Sequence, residues 1–134
     1  MPVPPLPEGL IVHSGSHGPA ETADRLVAAL TKQGMTVLAR IDHAAAAAKV
    51  GMSLRPTEVL IFGNPRAGSP LMQAAQTMGI DLPLKALVFE DGEGKTWIAY
   101  NDPNWLAARH HIGGAERTLE NMSAALAAVL QEVA

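Results

Sequence analysis

The stretch with the most chemical promise reads LIFGNPRAGSPLMQ, residues 60–73. Gly63 and Gly68 have the G-x-x-x-x-G spacing of a phosphate-binding loop, and an apolar, strand-like run precedes them. Such a loop next needs a lysine for the β- and γ-phosphates and a hydroxyl for magnesium, but Ser69 and Pro70 follow here. The missing cation argues against nucleotide hydrolysis. The same residues read well as punctuation. Asn64-Pro65 begins a turn over residues 64–68, Ser69 caps the next helix, and Pro70 occupies its first turn, where an absent N–H costs nothing. Gly68 is then the position expected to need a backbone angle that strains a Cβ. The free N–H groups of Leu71 and Met72, with Arg66 nearby, would offer a weak seat for a carboxylate or phosphate.

The other groups capable of acid–base or metal chemistry are scattered. His13 and His17 lie at a loop edge, His43 follows Asp42 at a helix start, and His110 and His111 are adjacent. Neighbours on a helix point about 100° apart, so the last two are poorly placed to share a metal. With no paired helical histidines, no metal site is expected. Asp42, His43 and Ser69 form a triad only on paper. No G-x-S-x-G elbow surrounds Ser69, and Pro70 has no N–H to offer an oxyanion. Asp42 and Asp102 each precede a helix start and read as N-caps.

Composition narrows the classes. The chain has 134 residues, enough for one domain with one core, and 48% hydrophobic against 17% charged residues is a globular balance. A net charge of −3 argues against nucleic acid, which calls for clustered Lys and Arg. The absence of cysteine excludes disulfides, thiolate-held metals and a thiol nucleophile. No cofactor motif is present. The start, MPVPPLPEG, lacks a basic region and a long apolar core, so no signal peptide is expected, and no apolar run reaches the roughly 20 residues of a membrane span. A cytoplasmic location without membrane contact is the expectation.

The elements that must position these groups follow from periodicity. Residues 1–9 hold four prolines and are expected to be a loose tail before a single domain over residues 10–134. Strands are expected at Leu10–His13, Met35–Ile41, Glu58–Phe62, Ala86–Glu90 and Thr96–Tyr100. Asp91-Gly92-Glu93-Gly94 joins the last two as a hairpin. A helix runs from Gly18-Pro19 to Gly34, a short one from Asp42 through alanines 44–48, and one through Leu71, Met72, Ala75 and Met78. Another runs from Asp102-Pro103 to Arg109, and a last one carries Leu119, Met122, Leu126, Val129, Leu130 and Val133 on one side. The hairpin requires antiparallel pairing. The fold expected is α+β: a mixed or antiparallel sheet of about five strands with helices mainly on one face.

The segments ARIDHAAAAAKVGMSLRPTEVLIFGNPRAGSPLMQ and MGIDLPLKALVFEDGEGKTWIAYNDPNWLAARH resemble the bacterial and archaeal domain-of-unknown-function family 302. The resemblance rests on Ile41-Asp42-His43, Phe62-Gly63-Asn64-Pro65, Gly68 to Leu71, Asp81 to Lys85 and Tyr100 to Pro103. The helix after Gly113-Gly114 lies outside it. It implies a compact α+β domain, often homodimeric, and no agreed activity. It also draws attention to polar residues beside strand ends. Asp42, His43, Asn64, Arg66, Ser69, Lys85, Asn101 and Asp102 are the candidate ligand-binding set, in a polar cleft suited to a small anionic or polar ligand. The function expected is non-catalytic binding of such a ligand or of a partner. The alternative is a small cofactor-free enzyme using His43 with Asp42, or Lys85, as acid/base. A homodimer is expected, with Ala124, Ala127 and Ala128 leaving a small-residue surface on the last helix.

Overall fold

The computed structural model describes residues 6–134. Five strands, β1 (Leu10–Gly15), β2 (Thr36–Asp42), β3 (Thr57–Gly63), β4 (Leu84–Glu90) and β5 (Thr96–Asn101), form one sheet in the order β1-β5-β4-β3-β2. Every neighbouring pair is antiparallel. The helices are α1 (Pro19–Lys32), α2 (His43–Lys49), α3 (Pro65–Ala74), α4 (Pro103–Arg109) and α5 (Glu116–Val133), with a 3-10 turn at Gln76–Ile80. The element order is the one that the periodicity implied, and the chain is a single α+β domain.

The period of two along the strands sorts the sheet into two faces. Leu60, Phe62, Ala86, Val88, Ile98 and Tyr100 point to one and are buried there. They join one core with side chains of α1, α3, α4 and α5. Ala23, Leu26 and Leu30 of α1 recur at helical spacing on its buried side, and burial of each leucine contributes roughly 1.5–3 kcal/mol. Gly34 ends that helix with φ +81°, a conformation that a Cβ would strain. On the far face Val59, Ile61, Leu87 and Phe89 stay half-buried. The short α2 buries no residue.

The tail expectation divides. Residues 1–5 lie outside the described residues, while Glu8 and Gly9 form a turn before β1. The Gly9 carbonyl accepts the Asp102 N–H at 2.8 Å, and its Cα lies so close to the Trp105 ring that no Cβ would fit.

The region 64–78 departs from expectation in an instructive way. The helix begins at Pro65, not at Ser69 or Pro70, because the Asn64 side chain already accepts the Arg66 N–H at 3.0 Å. Asn64 is the N-cap and Pro65 takes the first helical position, where proline is favoured. Ser69 is therefore not a cap, and Pro70 sits inside the helix. The backbone breaks at Ala75 (φ −149°), so the stripe Leu71, Met72, Ala75 and Met78 belongs to a helix and a separate 3-10 turn. Gly68 has no positive φ. It is buried, and a Cβ there would meet Leu82 Cδ1 at 3.4 Å. Close packing, not backbone angle, is what glycine supplies.

Candidate functional site: a two-part cleft at the strand ends

The antiparallel register brings the C-terminal end of β3 beside the N-terminal ends of β2 and β4, since Thr36 pairs with Gly63 and Phe62 with Leu84. The chain leaves β3 through Asn64 into α3 and enters β4 through a cis Leu82–Pro83 bond. Between these corners lies a cleft of about 370 Å³. Leu38, Met72, Leu82, Pro83 and Met122 give it a mainly apolar wall, and Asn64 and Ser69 are among its polar lining residues.

A second recess of about 280 Å³ adjoins the first. The two share Gly63, Asn64, Leu84 and Met122. The second adds Gln33, Arg66, Thr118 and Asn121. Strand ends, the first turns of α3 and one side of α5 thus enclose a depression whose two halves differ in polarity.

The structure brings only some of the expected residues here. Asn64 and Ser69 line the apolar recess, and Asn64 and Arg66 line the polar one. The seat expected on the Leu71 and Met72 N–H groups is not formed, because both residues lie well inside α3. Lys85 is at the same end of the sheet, yet it alternates with buried Leu84 and Ala86 and so faces the other side. Its Nζ makes only a long 3.4 Å bond to the Pro83 carbonyl. Asn101 ends β5 and Asp102 follows it, two strands from β3 and so about 10 Å away laterally. Asp102 caps α4 by accepting the Asn104 N–H at 2.9 Å. Burial, reinforced by the charge of Asp102, pushes the Tyr100 phenol above its ordinary value.

Asp42 and His43 stand at the opposite end of the sheet, where Asp42 pairs with Glu58. Six residues of strand put them on the order of 20 Å from the cleft. Asp42 caps α2 by accepting the Ala45 N–H at 2.9 Å, and His43 is exposed. The polar set therefore does not form one cleft, and the cleft that exists is apolar on one side.

Two clusters escaped the sequence. His110 is nearly enclosed, with its Nε2 2.6 Å from Asp81 Oδ2 and its Nδ1 2.9 Å from Thr77 Oγ. Arg109 Nη1 donates to both Asp81 oxygens at 2.9 Å. The hydroxyl–imidazole–carboxylate order has the atoms of a proton relay, but neither recess of the cleft is lined by Thr77. Its evident work is to bind the 3-10 turn to the end of α4, one residue before the Leu82–Pro83 wall. The hint was that Asp81 and Arg109 stand near the two ends of the second of the segments that carry the family resemblance. The second cluster is Asp91, which accepts from the N–H groups of Glu93 (2.9 Å) and Lys95 (3.0 Å) and from Trp97 Nε1 (2.8 Å). These bonds, the indole's foremost, hold its carboxyl below the usual value. Lys95 Nζ lies 4.8 Å from the Trp97 ring centroid. Among the described residues, no group of three or more His, Asp or Glu is placed to hold a metal ion.

A family model described as "Domain of unknown function DUF302" matches residues 11–129, which takes in most of α5. The crystal structure of an uncharacterized conserved DUF302 protein from Bacillus stearothermophilus superposes with a TM-score of 0.86. It covers 96% of this chain and 100% of that one at 22% identity, so the likeness is one of fold. Two curated relatives are called fluoride-specific ion channels: FluC 1 of Brucella suis biovar 1 and FluC 2 of Brucella melitensis biotype 1. Each is 48% identical over 108 residues, 81% of this chain. The chain spans only 42% and 40% of their respective lengths.

Proposed function

The chain belongs to the DUF302 family, and we propose that it is a non-catalytic binding domain that takes a small, largely apolar ligand in the cleft between α3, α5 and the ends of β2, β3 and β4. The observation that carries this reading is the apolar recess of about 370 Å³ beside Met72 and Leu82. Its size falls in the range of small-molecule sites, roughly 300–1,000 Å³, and a few polar groups at its edge suit orientation of a ligand. The acid/base alternative has less behind it: Asp42 is occupied as a cap, His43 is exposed, and both are remote from the cleft. Lys85 faces the other side of the sheet.

The domain is further proposed to work in the cytoplasm as a homodimer. No described helix is long and apolar enough to cross a membrane. The surface that favours self-association is the sheet face opposite the helices, with Val59, Ile61, Leu87 and Phe89 half-buried. It outweighs the exposed Ala124 and Ala127 of α5 as an apolar surface. In the channel-named relatives we propose that the shared portion is an accessory domain, and that channel activity resides in the remainder of those longer proteins.

Methionine-methyl NMR tests the cleft directly. Small apolar probes are expected to shift the Met72 and Met122 methyls and leave exposed Met52 unmoved. Native mass spectrometry of protein from its own host is expected to show a small-molecule adduct. Uniform methyl shifts, or none, would remove the cleft as a site.

A further inference from the structure

Resting on the cleft reading, we propose that the ligand is an amphiphile: a carboxylate on a medium-length alkyl chain, with the chain in the apolar recess and the carboxylate at Arg66. The two recesses share the walls formed by Gly63, Asn64, Leu84 and Met122 and so lie side by side, which puts the head group of a molecule seated in the first within reach of the second. No charged residue among those described lines the apolar recess. Among the described residues, Arg66 is the sole charged one lining the other, with Gln33, Asn121 and Thr118 also in its wall. Among the described residues, no carboxylate lines either half.

The guanidinium of Arg66 is also uncommitted. Arg25, Arg40 and Arg109 each engage a carboxylate, whereas among the described residues the Arg66 side chain makes no ion pair. A guanidinium fork matches a carboxylate in a bidentate geometry that neither an alcohol nor an ester reproduces. The recess volume of about 370 Å³ lies near the lower end of small-molecule sites, which suits a short chain better than a fused-ring skeleton. The alkyl part supplies most of the attraction through its loss of water contact. The exposed ion pair supplies selectivity, a factor of roughly five because solvent screens it.

The test titrates the full chain with octanoate, octanol and inorganic phosphate at one ionic strength, following the Met72 and Met122 methyls and the Arg66 Nε–H. Octanoate is expected to move all three signals and to bind roughly five-fold tighter than octanol. Arg66→Gln is expected to abolish that preference, so that octanoate binds no tighter than octanol; Arg66→Glu is expected to reverse it. Phosphate, lacking a chain, is expected to leave the methyls unmoved. Equal binding of octanoate and octanol, or a preference that survives Arg66→Gln, overturns the amphiphile proposal and leaves the apolar-cleft reading standing. Phosphate binding as tightly as octanoate overturns it in favour of a simple anion seat. If neither chain molecule moves the Met72 and Met122 methyls, the cleft reading fails and this proposal fails with it.

Discussion

Asp81 and His110, 29 residues apart, meet at 2.6 Å in a nearly enclosed contact that fastens the 3-10 turn to the end of α4. The imidazole spends both nitrogens, one on Asp81 and one on Thr77. Its removal leaves the partly buried Asp81 carboxylate, and the exposed Thr77 hydroxyl, with fewer partners. His110→Ala is expected to destabilise the domain by about 1–3 kcal/mol in denaturant unfolding. Because Leu82 follows Asp81 directly, the same variant is expected to broaden the Met72 methyl signal at the cleft wall. A loss below about 0.5 kcal/mol would show that the contact is peripheral.

The start of α3 gives a second expectation. Asn64→Ala removes a side chain that accepts the Arg66 N–H, and is expected to cost about 1 kcal/mol. Ser69→Ala, inside the helix, is expected to change stability by less than about 0.5 kcal/mol. Thermal unfolding of the pair separates the two cap assignments. The reverse order would restore Ser69 as the true cap.

How much of this was legible beforehand depends on the range of the interaction. The hairpin at Asp91 and the helix after Asp102 are set by contacts between near neighbours and fall where the pattern put them; the strands are marked by the local pattern, though β1 runs on to Gly15 and β4 starts at Leu84. At residues 64–70 two local signals competed: Asn64-Pro65 and Ser69-Pro70 are both good starts for a helix. The first wins: Asn64 accepts the Arg66 N–H at 3.0 Å, and the helix begun at Pro65 also sets Gly68 against Leu82, a tertiary contact that no local signal carries. The candidate site suffered more. Asp42 and Asn64 both sit at strand ends, but at opposite ends, and that depends on strand pairing. The cleft walls come from Leu38, Met72, Leu82 and Met122, which carry no chemical mark in the sequence.

The division between the two ends of the sheet can be tested. Asp42→Ala is expected to cost roughly 0.5–2 kcal/mol through loss of its bond to the Ala45 N–H. His43→Ala, an exposed change, is expected to stay within about 0.5 kcal/mol. Neither is expected to alter probe binding at the Met72 methyl. Loss of that binding in a stable His43→Ala protein would bring the acid/base alternative forward.

Assembly separates two surfaces. Light scattering is expected to give a dimer mass at micromolar concentration. Leu87→Lys, on the sheet face away from the helices, is expected to give folded monomers, and Ala127→Lys on α5 to leave the dimer intact. A dimer broken by Ala127→Lys alone would assign the contact to α5, and a monomeric parent protein would remove the assembly proposal.

Asp91 carries the pH dependence of the β4–β5 hairpin. Its carboxylate accepts from Trp97 Nε1 at 2.8 Å and from two backbone N–H groups of its own turn. Acceptance of three bonds favours the charged form, so the folded-state value lies below the ordinary carboxyl value of 3.8. A depressed carboxyl binds fewer protons folded than unfolded, and its stabilisation is complete above the unfolded value. It is lost progressively as pH falls below 3.8 through the lower folded value. The indole reports this locally. Trp97 fluorescence and the Trp97 Nε1–H resonance are expected to hold constant above that window and change within it. Asp91→Asn keeps an acceptor oxygen but cannot ionise, so it is expected to lower stability at neutral pH and to flatten this acid dependence. The opposite sign, a hairpin that tightens as pH falls through the window, would show that Asp91 is not the group that fastens the turn.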